Sequence, residues 1–107
     1  MSWLHDNIRR SRSQEKRAAK RYGARRQAAS GSQPGAKGDV RAMGRMRGEC
    51  KFTRAASFSL KLEELQKIEQ EAAAGEIPVF EIEFQTRFPS KRYVVVPGWV
   101  FDQMYNP

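Results

Sequence analysis

The apolar positions in the middle of the chain predict one well-defined helix. Apolar residues recur at helical spacing from Leu62 to Ala72, and Gly75 supplies a stop signal, so the pattern predicts a helix over 62–74. This helix should pack its apolar stripe on the core and leave its charged face in solvent.

Alternation of apolar and polar residues predicts the strands. Apolar side chains between Phe80 and Phe84 alternate with Glu81 and Glu83, which predicts a half-buried strand that begins at Pro78 and turns both glutamates to solvent. Together with the helix, such strands predict an α/β fold. Further strands are predicted over 27–30, 47–53 and 93–96, the last of them as a buried strand.

The first third of the chain predicts a frayed segment followed by a polar helix. Residues 1–10 are expected to be a flexible basic N-terminus, and Ser11 or Ser13 can cap a helix that continues to about Ala24. A helix so poor in apolar residues should lie on the surface, with its charges available to a ligand rather than to the fold. Its only apolar stripe comprises Ala18, Ala19 and Tyr22.

The C-terminal segment is rich in large apolar side chains. We expect about one helical turn there, after the last strand, where a small domain has little interior left. Aromatic and Met side chains are enriched at the cores of protein interfaces, so the segment predicts a homodimer interface or a lid over the sheet. The residues concerned are Trp99, Phe101, Met104 and Tyr105.

The net charge of +8 is concentrated in the first 37 residues. Ten Lys and Arg residues there face only Asp6 and Glu15, whereas residues 38–107 carry ten basic and ten acidic residues. A field of one sign costs self-repulsion and favours a polyanionic partner, of which nucleic acid fits Arg and Lys best. A solubilising or disordered tail is the alternative.

Composition excludes several classes of protein and site. No apolar run approaches the length of a membrane span, and the N-terminus lacks the apolar stretch of a signal peptide, so we expect a cytoplasmic protein. One cysteine and one histidine exclude an internal disulfide and a structural zinc site. Cys50 is expected to be a small core residue. Residues 11–107, which follow the flexible N-terminus, suffice for a single compact domain.

The candidate chemistry lies between Asp39 and Lys51. If residues 47–53 form a strand, Glu49 and Lys51 point to the same face because side chains alternate. A tight turn at Gly44 would bring Asp39, on the preceding strand, beside them. Two carboxylates and an ammonium group suit Mg²⁺ or Mn²⁺ and hydrolysis. An ordinary hairpin with scattered surface charges is the alternative.

Together with the residues around it, this pattern resembles the PD-(D/E)XK nuclease superfamily. Within that superfamily it is most similar to the small Holliday-junction resolvases of archaea and phages. The motif residues are Gly38-Asp39, with glycine in place of the family's proline, and Glu49-Cys50-Lys51. Glu15 in the first helix and Ser30-Gly31 in the following loop also match, although that helix is richer in arginine than the family's. The resemblance covers about residues 13–96.

This resemblance implies a restriction-endonuclease-like core. Its expected order is a helix, a three-strand meander, a second helix and another strand, with a central mixed sheet of about five strands flanked by helices. It also implies a Mg²⁺-dependent endodeoxyribonuclease, in which Mn²⁺ substitutes. The enzyme would resolve Holliday junctions or other branched DNA in recombination and repair, in a bacterial or phage-infected cell. No small-molecule cofactor and no membrane partner are expected.

The resemblance also assigns roles to residues. Asp39, Glu49 and the backbone carbonyl of Cys50 would hold one or two ions, with Glu15 completing the metal site. Lys51 would orient the attacking water or stabilise the charge that develops on phosphorus. A two-fold homodimer would place two such sites on opposing strands. DNA-backbone contacts are expected from Arg9, Arg10, Arg12, Arg17, Lys20, Arg21, Arg25, Arg26, Ser30, Lys37 and Arg54.

Two other functional classes remain open from the sequence. One is another PD-(D/E)XK nickase that acts on flaps, duplex or single strands. The other is a non-catalytic basic module that binds nucleic acid. Glu15 also has an ordinary interpretation, an ion pair one turn along the helix near Lys20.

Overall fold

The computed structural model describes residues 3–26, 38–86 and 88–106, and at Trp3, Leu4, Arg26 and Asp39 it describes the backbone alone. Within these ranges the chain forms three helices and five strands. In chain order they are α1 (Trp3–Tyr22), β1 (Arg25–Arg26), β2 (Gly38–Ala42), β3 (Met46–Thr53), α2 (Leu62–Glu71), β4 (Ile77–Phe84), β5 (Lys91–Val95) and α3 (Gly98–Tyr105).

The strands form one mixed sheet in the order β1-β2-β3-β4-β5. Four strands have five to eight residues, and β1 adds a two-residue edge. The pairs β1–β2, β2–β3 and β4–β5 are antiparallel, whereas β3 and β4 are parallel because α2 connects them. The predicted α/β class is therefore confirmed.

Helices cover both faces of the sheet. Ala18 of α1 packs in a buried cluster with Val40, Met46, Cys50 and Val79, which define the α1 face. The prediction that Cys50 is a core residue is confirmed, since it is 4% exposed.

The α2 face carries the residues that alternate with these. Phe58, which precedes α2, packs against Phe80 with ring centroids 6.2 Å apart. Arg47 of β3 reaches Glu71 at the end of α2, with Nη2 and Oε1 3.4 Å apart. Each charged residue of β3 therefore has a defined face, set by strand alternation.

Helix α1 is longer at its start than the sequence predicts. It begins at Trp3 rather than at Ser11 or Ser13, so residues 3–10 are helical and not frayed, and it ends at Tyr22 rather than Ala24. Asp6 accepts hydrogen bonds from Arg9 and Arg10 one turn later, at 2.8 and 3.1 Å. Such i,i+3 and i,i+4 pairs stabilise a helical turn that has few apolar contacts.

Helix α2 is shorter than the predicted 62–74. It ends at Glu71 because the backbone of Ala72 turns extended, with ψ 127°, while its N–H still bonds the Ile68 carbonyl. Gly75, with φ 84°, forms the turn before β4 instead of ending the helix.

The strand predicted over 93–96 is present as β5, but the prediction that it is buried is wrong. Residues 91–94 of β5 are exposed, and β5 is an edge strand with β4 on one side. An apolar run predicts a strand, but it does not show whether other elements cover that strand. The predicted strand over 27–30 lies outside the described residues.

None of the helices in the described part of the chain combines the length and the apolar character that crossing a bilayer requires.

Candidate active site and nucleic-acid interface

The turn between β2 and β3 fixes the pairing of the two strands. The N–H of Arg45 donates to the Ala42 carbonyl at 2.9 Å, and Gly44 has φ 77°, a conformation that glycine adopts at little cost. The resulting register sets Asp39 opposite Glu49. The predicted hairpin, with its turn at Gly44, is therefore present.

Glu49 and Lys51 lie on the α2 face of β3. They alternate with Cys50, whose side chain belongs to the core on the other side. Glu49 is 6% exposed and pairs in register with Phe80, while Lys51 is partly buried beside Ile82. The structure thus gathers a carboxylate and an ammonium group on one face, and the backbone of Asp39 directly across from the carboxylate.

The structure does not bring Glu15 to that face. Glu15 is 8% exposed and accepts a hydrogen bond from Ser11 Oγ at 3.2 Å. Ser11, Glu15 and Ala18 belong to the buried stripe of α1, which packs on the α1 face. Glu15 and Glu49 therefore lie on opposite sides of the sheet, and a metal-binding role for Glu15 stays a prediction.

The donors on the α2 face fit a hard divalent ion by their chemistry. Carboxylate and carbonyl oxygens are ligands that Mg²⁺ and Mn²⁺ prefer. Cys50, whose carbonyl is the third predicted ligand, pairs with Gly38 where the β2–β3 ladder ends. Among the side chains that the structure describes, which exclude that of Asp39, no group of three His, Cys, Asp or Glu residues gathers to hold a metal.

Two glutamates that the sequence predicts to face solvent are buried. Glu81 is 1% exposed and Glu83 is 4% exposed, because α1 covers the face of β4 from which they project. Arg17 Nη2 binds both carboxylate oxygens of Glu83, at 2.8 and 2.6 Å. Arg21 Nη1 binds Glu81 Oε1 at 3.0 Å, and Arg92 Nη1 lies 3.3 Å from the same oxygen. The prediction of solvated glutamates on this strand is wrong.

Tyr22 and Gln14 complete the cluster around Glu81. The Tyr22 hydroxyl donates to Glu81 Oε1 at 2.7 Å, and Gln14 Nε2 donates to the Lys51 carbonyl at 2.7 Å and weakly to Glu81 Oε2 at 3.4 Å. Burial and then the hydrogen bond to Glu81 raise the pKa of Tyr22 from 10.0 to about 12. This cluster docks α1 on the sheet through polar groups.

Another buried carboxylate, that of Glu76, connects the hairpin to the α2–β4 connection. Glu76 Oε2 accepts from Arg41 Nε at 2.8 Å and from the Gly44 N–H at 3.0 Å, while Oε1 accepts from the Ala73 N–H at 2.8 Å. The hydrogen bonds from Arg41 and Ala73 lower the pKa of Glu76 from 4.5 to about 2. Glu76 therefore helps to hold the turn that sets the register of Asp39 and Glu49.

Some of the predicted DNA-binding cations that the structure describes are paired within the fold, and others are not. The inner set, Arg17 and Arg21, is engaged with the buried glutamates. Arg9, Arg10 and Arg54 pair with Asp6. These five cations are therefore partly neutralised within the fold.

The outer set is available to an anionic partner. It consists of the exposed cations of α1 and β1 that form no ion pair with any residue in the described ranges, and it adds Lys16, which the sequence argument overlooked. The outer set comprises Arg12, Lys16, Lys20 and Arg25. Ser30, Lys37 and the side chain of Arg26 lie outside the described residues.

The sequence did contain a signal for the buried cluster. Arg10, Gln14, Arg17 and Arg21 repeat at i, i+4, i+7 and i+11, so they occupy one side of α1. A stripe of long donors that matches alternate glutamates on a strand is typical of a polar helix–sheet contact.

A scan against protein-family models, a search of curated proteins and a search of solved structures each find no match to this chain.

Proposed function

We propose that the protein is a metal-dependent, structure-selective DNA endonuclease of the PD-(D/E)XK type that acts on branched DNA. The observation that carries the proposal is the β2–β3 register, which sets Asp39 opposite Glu49 and leaves Lys51 on the same face as Glu49. The distribution of charge supports it, since the outer set of cations on α1 and β1 remains available to phosphate.

The order of elements is consistent with the proposed subtype. The expected core runs helix, three-strand meander, helix and strand, and the chain runs α1, β1–β2–β3, α2 and β4. The parallel β3–β4 pair places the motif strand in the centre of the sheet, where its backbone is held on both sides. A rigid central strand positions catalytic groups better than a loop does.

The residues have distinct roles in the proposed mechanism. Asp39 and Glu49, with the Cys50 carbonyl, would hold Mg²⁺ beside the scissile phosphate. An ion bound by these residues would lower the pKa of a water and offset negative charge on the phosphate. Lys51 acts as a compact cation that orients the attacking water and stabilises the oxygens of the transition state.

Burial contributes to this arrangement. Glu49 is almost wholly buried and Lys51 is partly buried, with Phe80 and Ile82 next to them on β4. Charges in such a low-dielectric setting interact more strongly with a developing charge than they would in water. The proposed homodimer would present two such sites to a two-fold junction.

One observation favours a second candidate, a basic module that binds nucleic acid without cleaving it. Glu15 lies across the sheet from Glu49, so the four predicted catalytic residues do not converge on one face. In that case the outer cations of α1 would bind phosphate, and Glu49 and Lys51 would serve the fold.

Cleavage of a substrate panel separates the candidates. Purified protein is incubated with a four-way junction, a flap, a duplex and a single strand, with Mg²⁺ and with EDTA in its place. The proposal expects cleavage of the junction that requires Mg²⁺ and exceeds that of the duplex. Binding to all four without cleavage supports the module, and cleavage of flap or duplex alone supports another nickase.

A further inference from the structure

Phe88 is fully exposed at the tip of the connection between β4 and β5. An aromatic side chain can bury 150–250 Å², so leaving one wholly in water gives up a large part of its stabilising potential. Phe88 borders a cleft of about 460 Å³ that lies between this connection and α1. Such a volume is within the range that accommodates a small ligand or a nucleobase.

The floor of this cleft is polar, and the charged groups described there bind partners in the fold. Arg17 binds both oxygens of Glu83, Gln85 Nε2 donates to Glu83 Oε2 at 2.6 Å, and Arg10 Nη1 donates to Gln85 Oε1 at 2.8 Å. The two arginines are therefore committed to partners in the fold. A neutral flat group with polar edges suits this floor better than a phosphate does.

Hydroxyl groups border the cleft beside its aromatic edge. Thr86 and Ser90 line it on the β4–β5 side, and both are exposed and make no side-chain hydrogen bond to a described residue. Their hydroxyls can donate and accept, as the edges of a base require.

Cations flank the cleft across α1. Ser13 lines this cleft and also a second one, of about 430 Å³, which Arg12 and Lys16 border. Arg12 and Lys16 belong to the outer set, whose charges are not neutralised by the described residues. Because Ser13 borders both clefts, a strand whose base enters the first cleft can continue over α1 towards this set.

We propose that Phe88 is a stacking platform for an unpaired nucleobase, with the adjoining phosphates held by Arg12 and Lys16. Branched DNA offers unpaired or easily unpaired bases at its branch point, so Phe88 would supply the selectivity for structure that a phosphate-binding surface lacks. The inference rests on the proposed function for the identity of the ligand, but it does not require cleavage.

Binding to matched duplexes tests the inference without Mg²⁺. One duplex carries a single extrahelical 2-aminopurine and the other is fully paired. We expect the wild-type protein to prefer the first and to quench its fluorescence. Phe88→Ala should lose about 5- to 150-fold in affinity for it, since stacking contributes 1–3 kcal/mol per base. Binding to the paired duplex should change less than twofold, and Phe88→Trp should retain the preference.

Leu62→Ala is the matched control, because Leu62 is also exposed, at 69%, but lies on α2 away from the cleft. Equal affinity of Phe88→Ala and wild type for the duplex with the extrahelical base would overturn the inference. So would an equal loss of affinity for both duplexes in Phe88→Ala, or a wild-type protein that binds neither duplex. A change in sedimentation on Phe88→Ala would assign the side chain to a protein contact instead. If the protein cleaves no DNA, only the proposed nuclease activity is contradicted, and the stacking result is unaffected.

Discussion

Glu76 shows how a single carboxylate can determine the geometry of a neighbouring site. It accepts hydrogen bonds from the backbone at Gly44 and Ala73 and from the Arg41 side chain, so it joins the β2–β3 turn to the start of β4. Hydrogen bonds to a charged group are stronger than those between neutral groups. The position of Asp39 opposite Glu49 therefore depends on a residue outside the proposed catalytic motif.

We predict that Glu76 makes the fold sensitive to acid. Folding lowers its pKa from 4.5 to about 2, so its stabilisation is complete above about pH 4.5 and is lost as pH falls towards 2. Glu76→Gln should melt at a lower temperature than wild type at pH 7, and the difference should shrink on acidification. Melting temperatures of both proteins, measured from pH 2 to 7, check this. A constant difference over the whole range would contradict the assigned role.

Residue patterns in the sequence predicted local geometry well, but they did not predict which faces of the sheet are covered by helices. The turn at Gly44 and the alternation around Cys50 are local properties, and both were predicted. Glu81 and Glu83 were placed in solvent because alternation on a strand distinguishes two faces without showing which of them a helix covers. Here both faces are covered, so the charged face of β4 is buried by arginines of α1.

The elements differ in how far the sequence could define them. Strands β3 and β4 have clear alternation and turn signals, and the structure has them close to the predicted bounds. The strand predicted at Asp39 is present as β2. Helix α1 has few apolar residues, so its first two turns depend on side-chain ion pairs that a search for apolar periodicity does not detect. The exposure of β5 depends on its place at the edge of the sheet.

We predict that the two sets of cations on α1 have separable effects. Replacing Arg17 and Arg21 by Gln should lower stability by about 1–3 kcal/mol. The change removes the cation that pairs with buried Glu83 and leaves Arg92 as the partner of Glu81, while the replaced arginines are themselves partly exposed. Replacing Arg12, Lys16 and Lys20 should leave the melting temperature unchanged. The second variant should instead bind DNA more weakly, with the log–log salt slope reduced by about 0.9 for each lost contact.

Thermal melting and a salt titration of DNA binding, carried out on both variants, check this separation. The sequence alone suggested that no basic residue of α1 contributes to the fold. Equal melting temperatures for the two variants would support that earlier view and contradict the ion pairs seen here.

At the scale of the whole molecule, α3 presents an apolar surface that the described residues leave uncovered. Four large apolar side chains on α3 are exposed by 45–75%, and the rings of Phe101 and Tyr105 stack on each other at 5.8 Å. The neighbouring strand β5 is an exposed edge. A surface of this kind is typical of an interface. The residues on α3 are Trp99, Phe101, Met104 and Tyr105.

We predict a homodimer that uses this surface. Burying one such side chain contributes about 1.5–3 kcal/mol, so Trp99→Ala with Phe101→Ala should shift the protein to monomer without unfolding it. Sedimentation and thermal melting of wild type and the double variant provide the measurement. A wild type that stays monomeric at high concentration would rule out the interface and, with it, paired nicking of a junction.

The proposed site itself is tested most directly by single-turnover cleavage of a four-way junction with Mg²⁺. Glu49→Gln and Lys51→Ala are compared with wild type, and Glu64→Gln on α2 serves as a control for loss of a partly exposed carboxylate. DNA affinity and melting temperature are measured for each variant. Our account predicts that both site variants bind the junction but cleave it at least about 100-fold more slowly than wild type. This corresponds to a loss of roughly 3 kcal/mol in transition-state stabilisation. The control variant should cleave at the wild-type rate. Cleavage within about tenfold of wild type by both folded variants would contradict the assignment of the Asp39–Glu49–Lys51 face as the catalytic centre.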